Sequence, residues 1–189
     1  TTVYRNNMIA IGAGIANAIG TGSTTGGVNG ITEPLGTDSF FHNSVLIVGA
    51  PTAGVGPSFA FNGSQTVNTR SFRDNILVNA RSNAGSTGKN YAVRVGGTGL
   101  NPTGLTINNN VYSANGSGAV FGFYDLADRA NLAAWQLAVG QDVNSLEADP
   151  LYLSATDLHL QAGSPAIDLA FNVGVTNDFD GDNRPGGNA

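Results

Sequence analysis

Phe72-Arg73-Asp74-Asn75-Ile76-Leu77 is the stretch whose reading decides the fold. It runs apolar, polar, Asp, Asn, apolar, apolar, which reads as a strand, a sharp corner and a second strand. Asn and Asp tolerate the left-handed backbone that such a corner demands. The same pattern is found in Tyr4-Arg5-Asn6-Asn7-Met8-Ile9, in Phe41-His42-Asn43-Ser44-Val45-Leu46 and in Ile107-Asn108-Asn109-Asn110-Val111-Tyr112. Aligned this way, the copies begin 37, 31 and 35 residues apart. Between them lie further apolar strands, Phe59-Ala60-Phe61, Ala92-Val93-Arg94-Val95 and Val120-Phe121-Gly122-Phe123.

A repeat of this size cannot bury its own apolar face, so the copies are expected to stack. Stacking gives two columns, Tyr4/Phe41/Phe72/Ile107 and Met8/Val45/Ile76/Val111. It also gives a ladder of corner side chains, Asn7, Ser44, Asn75 and Asn110, in which each amide bonds to the coil below. Each bond is worth about 1 kcal/mol net, whereas a buried unpaired amide costs roughly 1–3 kcal/mol, so the ladder is favourable only as a stack. The alternative, a β-sandwich, would place Asn-Gly turns between paired strands. Here the Asn-Gly pairs at Asn29, Asn62 and Asn115 follow the intermediate strands instead. Asn83, in a connector, is expected to be exposed.

Composition agrees with many short strands and tight turns. Of 189 residues, 27 are Gly and 22 are Asn, and only 11% are charged. A disordered chain would carry more charge and fewer large apolar residues. There is no Cys, which excludes disulfides, thiolate metal sites and Cys nucleophiles. No apolar run approaches the roughly 20 residues of a membrane-spanning helix. The net charge of −5 is split: residues 1–124 hold six basic and three acidic side chains, residues 125–189 two and ten. This argues against nucleic acid as a partner. It also suggests coils over residues 1–124 and a capping region over residues 125–189 of the same solenoid. The opening Thr-Thr, with neither initiator Met nor signal peptide, reads as part of a longer protein.

The chain resembles the right-handed parallel β-helix proteins, the solenoids of pectate lyases and many secreted bacterial surface proteins. The segments that carry the likeness, beside the corner repeat, are Gly140-Gln141-Asp142-Val143-Asn144-Ser145-Leu146 and Asp149-Pro150-Leu151-Tyr152. They also include Leu158-His159-Leu160-Gln161-Ala162-Gly163-Ser164-Pro165-Ala166-Ile167-Asp168 and Asp178-Phe179-Asp180-Gly181-Asp182-Asn183-Arg184-Pro185. The resemblance implies an all-β, right-handed parallel β-helix and a secreted or cell-surface location. One short helix is expected from Asn131 to Val139. Asn131 or Asp128 would cap it, Gly140 would stop it, and Trp135 would plug an open edge of the stack.

The residues leave function open among three classes. The first is a non-catalytic adhesin, stalk or weak glycan-binding module, with a basic stripe of Arg5, His42, Arg70, Arg73 and Arg94 holding a polysaccharide. The second is a polysaccharide lyase or glycoside hydrolase acting on acidic glycans, with its site on a connector such as residues 12–30 or 79–91. Hydrolysis needs two carboxylates about 5–10 Å apart, and the coils offer only Glu33, Asp38 and Asp74, so the sequence leans against it. The third is a self-assembling segment whose end strands pair end to end. No cofactor is implied except calcium at Asp178, Asp180 and Asp182, which open like a calcium loop but lack its Gly and Glu. Otherwise Arg184 is expected to pair with one of these carboxylates and fix the terminal loop.

Overall fold

A computed structural model describes residues 2–13, 27–51, 56–83 and 88–184. The chain winds in coils of three strands each. The first coil holds β1 (Thr2–Arg5), β2 (Met8–Ile11) and β3 (Val28–Glu33). The second holds β4 (Asp38–Phe41), β5 (Ser44–Ile47) and β6 (Ser58–Gly63). The third holds β7 (Arg70–Arg73), β8 (Ile76–Asn79) and β9 (Asn90–Arg94), and the fourth β10 (Leu105–Asn108), β11 (Val111–Ala114) and β12 (Ala119–Tyr124). There follow β13 (Ala127–Arg129), α1 (Leu132–Val139) and β14 (Leu146–Glu147). Equivalent strands stack in register into three sheets, β1-β4-β7-β10, β2-β5-β8-β11-β14 and β3-β6-β9-β12-β13. All pairings are parallel except β12 with β13. The fold is therefore an all-β parallel solenoid of about four turns with one short helix.

The first two strands of each coil meet at the Asn corner. Asn6, His42, Asp74 and Asn109 turn it with φ of 56°, 54°, 61° and 57°. The next residue points inward and builds the ladder. Asn7 Nδ2 donates to Asn43 Oδ1 at 2.7 Å, Asn43 to Asn75 at 2.9 Å and Asn75 to Asn110 at 3.1 Å. Ser145 Oγ ends the row by accepting from the Asn110 amide. The same side chains satisfy corner carbonyls, Asn43 that of Tyr4, Asn75 that of Phe40 and Asn110 that of Phe72.

One expected register is corrected. The second rung is Asn43, not Ser44, and the rungs lie 36, 32 and 35 residues apart. The inward aromatic column is Tyr4/Phe40/Phe72/Ile107. Ser44 instead pairs with Met8 and Ile76 in the outward row of the next sheet, and Val45 turns into the core. The slip arises because Phe40 and Phe41 are both aromatic and His42 occupies the left-handed position that other coils give to Asn or Asp. Phe41 falls instead between Arg5 and Arg73 on the outer face, with the Arg73 guanidinium 5.2 Å from its ring centre.

The core joins Phe40, Phe61 and Phe72 to Val45, Leu77, Tyr112 and Phe121. The last coil is closed by α1. Asn131 Oδ1 accepts from the Ala134 amide at its start, and Gly140, at φ 75°, ends it. Trp135 is fully buried against Phe121 and Tyr124. A Cβ on Gly122 would lie 2.8 Å from the indole, so only glycine admits it. Beneath, the buried Asp142 carboxylate accepts from the Trp135 indole N–H (2.8 Å) and the Tyr112 hydroxyl (2.6 Å). Asn83 is buried rather than exposed, bonded to Arg81 and Asn90.

Candidate functional site

After β14 the chain has no further helix or long strand among the described residues and returns along the corner of the solenoid. Leu158 anchors this return by packing on Leu46 and Val78. The left-handed corner residues then grip its main chain. Asn109 Nδ2 donates to the Leu169 carbonyl at 3.1 Å, Asp74 Oδ1 accepts from the Phe171 amide at 2.8 Å, and Asn6 Nδ2 donates to the Asn177 carbonyl at 2.6 Å. Arg184 closes the path, donating to Asn6 Oδ1 and the Asn177 carbonyl. Between return segment and solenoid lies a cleft of about 270 Å³, walled by Met8, Ile76 and Val111 on one side and Leu158 and Phe179 on the other.

The polar groups of the cleft are unusual in their protonation. The Asp74 side chain is fully buried, and its Oδ2 has no hydrogen-bond partner. Burial pushes Asp74 up to about 6 against the pull of the Phe171 N–H and of Arg73 and Arg184. His42 Nε2 lies 3.8 Å from that oxygen, and burial together with the nearby Arg184 cation drives His42 down to about 4. Near pH 5 both groups are therefore uncharged. His159 behaves oppositely. Its Nδ1 bonds to Asp157 and its Nε2 to Asp180 Oδ2 at 2.8 Å, and these two carboxylates raise its pKa.

The structure does not gather the expected basic stripe. Arg5 and Arg73 share one outer row with Phe41 and Asn108. His42 lies around the corner in the cleft. Arg94 is on another sheet, its guanidinium 5.9 Å from the Phe59 ring centre and 5.7 Å from that of Phe123. Arg70 is corrected outright: it is buried inside the solenoid, donating to the carbonyls of Asn68, Thr103 and Gly96, and presents nothing to a ligand. A row of cations from sequence assumed that all of them point outward, and Arg70 does not.

Asp178, Asp180 and Asp182 are drawn into the terminal turn. Asp178 Oδ1 accepts the amides of Asp180 and Asp182, and Asp180 is taken by His159. Among the described residues no three His, Cys, Asp or Glu side chains converge as a metal ion requires. Arg184 ties down this loop through Asn6 rather than through one of the three carboxylates. Of the connectors offered for a catalytic site, residues 12–30 lie largely outside the described residues, at 14–26, and residues 79–91 do so only at 84–87. From sequence, Asp74 is a corner residue and one of three carboxylates of the coils. Its companions in the cleft come from a segment about 100 residues later, which no local pattern announces. The chain matches no protein-family model, and neither a curated protein nor a solved structure is significantly similar to it.

Proposed function

We propose that the chain is a non-catalytic glycan-binding module of a secreted or cell-surface β-helix protein, akin to the right-handed solenoids of pectate-lyase type, and that the corner cleft is its binding site. The observation that carries this reading is the buried, unpartnered Asp74 Oδ2 in a cleft that mixes apolar walls with convergent polar groups. Such pockets are the default ligand sites of proteins. A sugar suits this one, because its hydroxyls donate to carboxylates while its C–H faces rest on apolar side chains. Arg184 supplies a cation for an acidic substituent. The volume, about 270 Å³, accommodates one or two sugar rings rather than a long oligomer.

The test is titration of the full chain with neutral and uronate disaccharides, followed by amide chemical shifts. Shifts confined to residues around His42, Ser44 and Ile76, and lost in Asp74→Ala, support the assignment. Shifts clustered on Arg5 and Arg73, or on Arg94, would move the site to an outer face. A second reading, glycoside hydrolysis, is favoured by one fact: burial lets Asp74 keep its proton up to about pH 6, as a general acid working in mild acid must. Release of reducing ends by the wild type but not by Asp74→Asn would establish it in place of simple binding.

A further inference from the structure

The return segment is held in an uncommon way. Three of its contacts to the corner row join a side chain of the solenoid to a main-chain group of the segment: Asn109 with Leu169, Asp74 with Phe171, Asn6 with Asn177. Of its apolar side chains, Ile167, Phe171 and Phe179 are largely exposed, at 47%, 60% and 54%, while Val175 is buried and Leu169 lines the cleft. By contrast Leu158, upstream, is 3% exposed and packed on the solenoid. The segment is therefore anchored by apolar packing at Leu158, and beyond it by the single buried Val175, a few hydrogen bonds and the Arg184 contact. Such segments open at free energies well below that of global unfolding.

We propose that residues 165–184 are a lid that swings away from the corner row independently of the solenoid, pivoting downstream of Leu158. Opening lays bare Asn6, His42, Asp74 and Asn109 as one row. With stacked strands about 4.8 Å apart, the row is roughly 14 Å long. The closed cleft admits one or two rings; the open row offers a linear track along the solenoid axis. What the lid admits rests on the glycan reading above, but its motion does not.

Hydrogen exchange on the full chain, read by mass spectrometry, decides it. In the wild type, amides of residues 169–184 should exchange at least about tenfold faster than those of β5 and β8, with little dependence on denaturant. Asn6→Gly combined with Asn109→Gly removes two grips while suiting the positive φ of both corners. The double variant should speed lid exchange by a further factor of about ten and leave β5 and β8 unchanged. Lid and core exchanging together in the wild type overturns the proposal, and so does lid exchange unaltered in the double variant. The disaccharides above serve as a separate arm. Lid exchange as expected with no saccharide bound by either protein refutes the glycan reading and leaves the lid standing.

Discussion

Replacing Asp74 by Asn should stabilise the protein at neutral pH and do nothing in acid. Asp74 carries its carboxyl from the usual 3.8 to about 6 because its side chain is buried and Oδ2 is unpartnered. At about 1.4 kcal/mol per pH unit this amounts to about 3 kcal/mol. The sign follows from the raised value: the folded state favours the protonated form. That advantage is fully present below the unfolded value of 3.8 and lost as pH rises through about 6. At pH 7 the fold thus holds an ionised carboxylate in a place that disfavours it. Asn tolerates the φ of 61°, can still accept the Phe171 amide through its oxygen, and turns an N–H toward the neutral His42 ring. Asp74→Asn should therefore exceed the wild type by about 2–3 kcal/mol at pH 7–8 and match it near pH 3.5. His42 titrates in the opposite sense. Its value is lowered from 6.5 to about 4, so its contribution is present above 6.5 and lost as pH falls toward 4. In the wild type the two slopes oppose one another between about pH 4 and 6.5, and in Asp74→Asn the His42 slope stands alone. Urea denaturation followed by circular dichroism at half-unit pH steps measures both curves. A variant equal to or weaker than the wild type at pH 7, or a difference between the two that does not change with pH, refutes the reasoning.

Asn75→Ala removes donors to Phe40 and Asn110 and the acceptor of Asn43. It should lose about 3 kcal/mol in denaturant melts, whereas Ser44→Ala, off the ladder, should lose less than about 0.5 kcal/mol. Gly122→Ala drives a methyl into Trp135 and should cost about 1–3 kcal/mol, with a shift of tryptophan emission reporting the displaced ring. Arg70→Met strips three interior carbonyls of their donor and should destabilise by more than about 3 kcal/mol. Arg94→Ala on the outer face should cost under about 1 kcal/mol in the same denaturant melts.

The solenoid was legible because its determinant is local. An Asn beside a residue that tolerates positive φ recurs once per coil, and stacking is the arrangement that satisfies all copies together. Asn131, Gly140 and Trp135 were legible for the same reason, each acting within a few residues. The register at Phe40 was not, since two adjacent aromatics fit one inward slot and the choice is made by Asn43 bonding to Asn75, 32 residues away. The stripe of cations failed on direction. Strand alternation places Arg73 outward, but Arg70 sits at the start of its strand where three carbonyls of the interior claim it. The cleft was least legible of all. It is made by the return of residues 150–184 onto a corner row, and neither half carries a pattern that names the other.

The ladder spacing also dictates how such a chain comes apart. Each rung joins residues 32 to 36 apart and touches only the coils above and below it. Closing one coil on its neighbour thus repeats nearly the same loop-closure entropy each time, and assembly proceeds as a zipper whose slow step is the first pair of coils. At one end the zipper is stopped by Trp135, fully buried over Asp142. Under mechanical load or in denaturant the coils should release one at a time, each release adding a contour length near that of one turn. The seal at Trp135 and Asp142 would be the last to yield.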